Sequence, residues 1–100
     1  MSDRRLAQQC QTMKELRTQI DVIDAELMDL LAQRVTYIDR AIELKQIEKL
    51  PARVPARVEE VLANVRRTAA NHGFDPDLAE TIWHEIIEWS IERESRVIAD

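Results

Sequence analysis

Four cations and one carboxylate are the side chains whose type and spacing could do chemistry in this chain. Arg34 and Lys45 stand eleven residues apart in a stretch without glycine or proline. On a helix that interval places them about 20° apart around the axis and about 16 Å along it, so their flexible side chains can converge on one dianion. Arg17 lies seventeen residues before Arg34, which on the same helix is about 25 Å along and about 100° around. Arg17 and Arg34 of one helix therefore cannot grip the same small ligand, but two antiparallel copies can bring Arg17 of one to Arg34 of the other. Arg57 falls at the start of a second helical pattern, where the helix dipole disfavours a cation. Glu94 lies on the apolar side of a third, four residues after Ser90. Each also has an ordinary structural reading. Arginines and lysines reach to solvent or pair with glutamates, and a rim carboxylate pairs with Arg93, Arg96 or a neighbouring helix.

Three helices must position these residues. Between about Thr12 and Glu48 apolar residues recur by threes and fours at Leu16, Ile20, Ile23, Leu27, Leu30, Leu31, Ile38 and Ile42, the pattern of an amphipathic helix. Thr12 is its expected N-cap, with Glu15 completing a capping box. Over 30 residues at 1.5 Å each give roughly 50 Å. A globule of this chain length measures only about 30–35 Å, so the helix is expected to overhang its subunit and a partner chain to cover the excess stripe. Pro51 and Pro55 break the pattern. Pro55 is expected at the first position of helix two, whose face carries Val58, Val61, Leu62, Val65 and Ala69 and which ends at Gly73 in the left-handed conformation. Asp75 and Pro76 restart the chain as N-cap and first residue of helix three, which should run to about Ile98. Trp83 and Trp89 are read as packing residues, and His84 as a surface or packing histidine.

The composition excludes several alternatives. The 100 residues carry a net charge of −5, 45% hydrophobic and 4% aromatic residues, one glycine, three prolines and one cysteine. One domain spanning residues 1–100 is expected. A β-sandwich or barrel needs frequent turn signals, and a phosphate-cradling loop needs several glycines. Leu, Ile, Val and Ala instead suit helix-on-helix packing, an all-α fold. Cys10 alone forms no internal disulfide, and His72 and His84 make no metal cluster. No apolar run is long enough for a membrane span, and Met1-Ser2-Asp3-Arg4-Arg5 leads into no leader-like apolar region. A cytoplasmic protein without nucleic-acid or membrane partners is the expectation, given the acidic balance. A small anionic substrate remains compatible, because local charge decides its binding.

Taken together, these positions resemble the all-helical chorismate mutases over about Met13 to Ile98. Leu16-Arg17-Thr18-Gln19-Ile20-Asp21-Val22-Ile23-Asp24 is similar to the family's opening motif, and Leu30-Leu31-Ala32-Gln33-Arg34 to its LLxxR. Lys45 falls at its lysine and Arg57 at its second-helix arginine, and Ile86-Ile87-Glu88-Trp89-Ser90-Ile91-Glu92-Arg93-Glu94 is similar to its third-helix motif. The resemblance implies an intertwined homodimer with two sites. Each would use Arg34, Lys45, Arg57, Ser90 and Glu94 of one chain and Arg17 of the other, with Lys45, Glu94 and Arg34 closest to the chemistry. It implies rearrangement of chorismate to prephenate, a pericyclic reaction that needs no nucleophile, metal or cofactor. Arginine forks suit the substrate carboxylates, and Lys45, with a donor at position 94, suits the breaking ether oxygen.

The sequence departs from the family pattern in three places. Position 94 is usually glutamine, whereas Glu94 can donate only when protonated. The acidic residues that typically meet the ring hydroxyl are replaced by Val54 and Val58. These departures leave the ring substituent open. The 4-amino-4-deoxychorismate mutases also resemble this sequence in glutamate at 94 and in a run like Pro55-Ala56-Arg57-Val58, and the isochorismate pyruvate-lyases in the proline-rich connection. A non-catalytic helical dimerisation module would explain the amphipathic helix, but not the spacing of the four cations and the carboxylate.

Overall fold

The computed structural model describes residues 6–98. Met1-Ser2-Asp3-Arg4-Arg5, on which the expectation of no leader rests, lie outside the described residues. A 3₁₀ turn at Ala7–Gln9, not expected from the sequence, precedes three helices: α1 (Met13–Glu48), α2 (Pro55–Asn71) and α3 (Pro76–Ser95). The chain divides into two compact units, Met1–Thr36 and Tyr37–Asp100, with the boundary inside α1.

The first unit holds the 3₁₀ turn and the start of α1. The Thr12 hydroxyl oxygen accepts from the Glu15 amide at 3.1 Å, as expected of an N-cap, and the Glu15 carboxylate reaches back to the Gln11 amide at 2.8 Å, one residue before the cap. These bonds satisfy amide groups that a helix start leaves without intrahelical partners. Ile20, Leu27, Met28 and Leu30 are exposed, and no residue of α1 is fully buried.

The second unit is built on the α2–α3 hairpin and the end of α1. Pro55 opens α2 with the proline's fixed φ. Gly73 closes it at φ 69°, and the Phe74 amide donates to the Ala69 carbonyl at 2.9 Å. This is the left-handed helix stop in which glycine meets no Cβ penalty. Asp75 caps α3 by accepting from the amides of Asp77 (2.8 Å) and Leu78 (3.4 Å). Ala52, Ile87 and Ile91 form a buried cluster, against which Val58, Val61 and Leu62 of α2 pack.

Two details differ from the sequence reading, and the end of α1, at Glu48 as expected, adds a left-handed residue the sequence did not signal. α3 ends at Ser95 rather than near Ile98, because the Glu94 carbonyl accepts from both the Val97 and Ile98 amides and tightens the last turn. Trp89 is exposed rather than packed inside, with the Arg93 guanidinium 5.5 Å from its ring centre. α1 stops at a non-glycine, Lys49, with φ 59°, and the Leu50 amide donates back to the Lys45 carbonyl at 2.8 Å.

Candidate functional site

Lys45 stands in the last turn of α1, where a cation is favoured by the helix dipole. Its Nζ donates to the Ala52 carbonyl at 2.7 Å and lies 2.7 Å from Glu94 Oε1. Glu94 is 4% exposed, and the side chain of Lys45 is 20% exposed. A buried carboxylate is tolerated when a cation accompanies it. The contact is close in distance but poorly aligned, so Oε1 has no hydrogen-bond partner among the described residues and keeps capacity to engage another group. Glu94 is thus the partner of Lys45, not of Arg93 or Arg96.

Two bidentate ion pairs also tie the elements of this unit together, beside the contacts of Arg66 in α2 with Asp77 and Glu80 in α3. Arg93, beside Glu94, forks onto Asp39 of α1 with bonds of 2.7 and 3.2 Å. Hydrogen bonding from Arg93 holds the Asp39 carboxyl below its ordinary range, and Asp39 raises Arg93 in turn. Arg53, in the connection after α1, forks onto Glu88 of α3 with bonds of 3.0 and 2.7 Å. Those bonds hold the Glu88 carboxyl low as well. Sequence reasoning missed both forks, since their members stand 54 and 35 residues apart.

The remaining candidates are placed as follows. Val54 is the half-buried residue before α2, and Val58 packs against the Ala52–Ile87–Ile91 cluster. Arg57 is exposed and pairs with Glu60 one turn on, which offsets its unfavourable place in the dipole. The Ser90 hydroxyl is buried and donates to the Ile86 carbonyl at 2.9 Å. Arg17 (exposed) and Arg34 (half-buried) belong to the first unit. The structure therefore brings Lys45 and Glu94 into direct contact. A cavity of about 450 Å³ opens beside Lys45, bordered by Gln46, Lys49, Leu50, Pro51, Val97 and Ile98; the other candidates do not line it. No group of three or more His, Cys, Asp or Glu side chains among the described residues could hold a metal ion, and no helix there is long and apolar enough to cross a membrane.

This arrangement offers a sheltered ammonium fixed by a carbonyl and a carboxylate, suited to meeting negative charge on a substrate oxygen. Known proteins are similar to the stretch of chain that carries it. The family model for chorismate mutase type II matches residues 16–95. A 4-amino-4-deoxychorismate mutase of Streptomyces pristinaespiralis is 36% identical over 84 residues, covering 84% of this chain and 65% of that protein. A T-protein of Enterobacter agglomerans is 38% identical over 80 residues, covering 80% of this chain and 21% of that protein. An isochorismate pyruvate lyase of Pseudomonas aeruginosa is 32% identical over 83 residues, covering 82% of this chain and 80% of that protein. The chain thus spans just under two thirds of the first of these relatives and about a fifth of the second. The matched stretch runs from the opening motif of α1 through Lys45 to Glu94, and with it the chain belongs to the chorismate mutase type II family.

Proposed function

We propose that this chain catalyses the Claisen rearrangement of chorismate to prephenate. The observation that carries this reading is the Lys45 ammonium, held between the Ala52 carbonyl and the buried Glu94, at the family's lysine position. In the rearrangement the ether C–O bond breaks as a new C–C bond forms, and no proton or group leaves the substrate. Catalysis then consists of holding a compact conformer and stabilising charge on the ether oxygen. One Lys45 donor is directed at Ala52, which leaves donors for that oxygen, with Glu94 beside the ammonium as its counter-charge. Arg34 and Arg57 would grip the substrate carboxylates, with Arg57 leaving its exposed pairing with Glu60 to do so. Ser90 would line the site from α3, and Val54 and Val58 would face the ring.

We further propose that the working unit is a homodimer in which Arg17 of the partner subunit completes each site. The exposed Ile20, Ile23, Leu27 and Leu30 of α1, spaced by threes and fours, support this, because a second copy would remove an apolar stripe from water.

A second reading, 4-amino-4-deoxychorismate as substrate, is favoured by the buried acid at position 94 and the valines at 54 and 58. Separate incubation with chorismate, isochorismate and 4-amino-4-deoxychorismate, with chromatography of the products, decides between them. Prephenate from chorismate as the fastest reaction supports the proposal. Faster turnover of the amino substrate, or pyruvate release from isochorismate, replaces it.

A further inference from the structure

We propose that Arg53 and Glu88 are positioning residues for Lys45, acting through the peptide plane between Ala52 and Arg53; this rests on the function proposed above. The oxygen that receives the Lys45 donor belongs to that plane. A peptide unit is planar from one Cα to the next, so its carbonyl swings only as the whole plane turns about the Cα–Cα axis, through ψ of Ala52 and φ of Arg53; holding the side-chain directions at both ends restrains that turn. Both ends are fixed to α3. Ala52 is 1% exposed and packs with Ile87 and Ile91. Arg53 is held to Glu88, the residue after Ile87, by two parallel bonds of 3.0 and 2.7 Å. Such a fork fixes direction as well as distance. The helix that carries Glu94 therefore also orients the second acceptor of the lysine.

The flanking residues serve the same end. Pro51 and Pro55 limit the backbone freedom of the connection. The fork itself is half-exposed, with side chains 45% and 38% accessible, where isolated ion pairs add little stability. Removing it should leave the fold intact and affect the aim of the ammonium. Because Lys45 is assigned to the ether oxygen and the arginines to the carboxylates, a misaimed lysine lowers turnover more than binding.

The test uses the full chain with Arg53→Met, Glu88→Gln and the exchanged pair Arg53→Glu/Glu88→Arg, each checked for unchanged helical circular dichroism. With the substrate that the wild type turns over, each single variant should lose about tenfold in kcat with KM within about twofold, since small misplacements are costly in rate. The exchanged pair should recover most of the loss, and in a Lys45→Ala background Arg53→Met should cost nothing more. A second readout is independent of activity: solvent exchange of the Lys45 ammonium, followed by lysine-selective NMR, should accelerate at least about fivefold in Arg53→Met as its carbonyl partner loosens. Unchanged ammonium exchange, a loss confined to KM, or full additivity with Lys45→Ala overturns the proposal. If the wild type turns over none of the three substrates, the proposed function fails, and ammonium exchange alone decides the positioning role.

Discussion

At the scale of single residues, the paired Lys45 and Glu94 set the expectations. Glu94→Gln keeps the volume and supplies an amide donor toward the same space, so the proposed chorismate reaction should persist at neutral pH with helical content unchanged. Steady-state rates across pH check this; loss of activity at every pH would show that the negative charge itself is required. Lys49, which borders the cavity beside Lys45, offers a stability test read by unfolding rather than by activity. It holds φ 59° at the end of α1, where a non-glycine residue bears about 1–3 kcal/mol of strain. Lys49→Gly removes that strain and gives up the favourable charge at the helix terminus, about 0.3–1 kcal/mol, together with unfolded-state entropy. The net should be about 0.5–1 kcal/mol of stabilisation, read as a higher urea midpoint at unchanged slope. Both Lys45 and Glu94 were legible in the sequence, because their spacing follows the helix period. Spacing alone did not show their contact, since it requires the chain to reverse twice; only the resemblance placed both at one substrate oxygen. The Ala52 carbonyl was invisible for another reason: a backbone acceptor has no residue-type signature.

At the scale of elements, the ends of the helices were legible where local chemistry decides them. Thr12, Pro55, Gly73 and Asp75 act as expected, because each satisfies or relieves its own neighbouring backbone. The end of α3 was misjudged by three residues, since the tightened turn after Glu94 depends on two amides sharing one carbonyl. The forks that join elements, Asp39–Arg93 and Arg53–Glu88, leave no local trace, but they have a consequence in acid. Both carboxyls lie below their ordinary values of 3.8 and 4.5 in the folded chain. Between the unfolded and folded values the unfolded chain binds more protons, so their contribution is present above the ordinary carboxylate range and is lost as pH falls through the folded values. Arg93, which the hydrogen bond to Asp39 raises above its already high ordinary value, stays charged throughout that range. Asp39→Asn/Glu88→Gln should therefore be less stable than the wild type at pH 7 and lose less of its remaining stability on acidification. Urea titrations at a series of pH values below 5 check this. The difference should shrink in high salt, because both pairs are half-exposed.

At the scale of the whole molecule, the exposed apolar stripe of α1 and the placement of Arg17 lead to the proposed dimer. Sedimentation should show a dimer at micromolar concentration, whereas a folded monomer would contradict it and remove the shared-site role of Arg17. Mixing Arg17→Ala with Arg34→Ala under subunit exchange should restore part of the activity, since each mixed dimer has one site with both lesions and one with neither. The held Lys45 ammonium is proposed to promote the rearrangement of chorismate. The most direct test is the loss of chorismate absorbance with prephenate formation, measured side by side for the wild type and for Lys45→Ala of unchanged helical content. Turnover by the wild type is expected, with a fall of about 10²–10³ in kcat for the variant, the effect of removing one charge-stabilising donor. A wild type that leaves chorismate unchanged, or a Lys45→Ala variant as active as the wild type, would contradict the proposal.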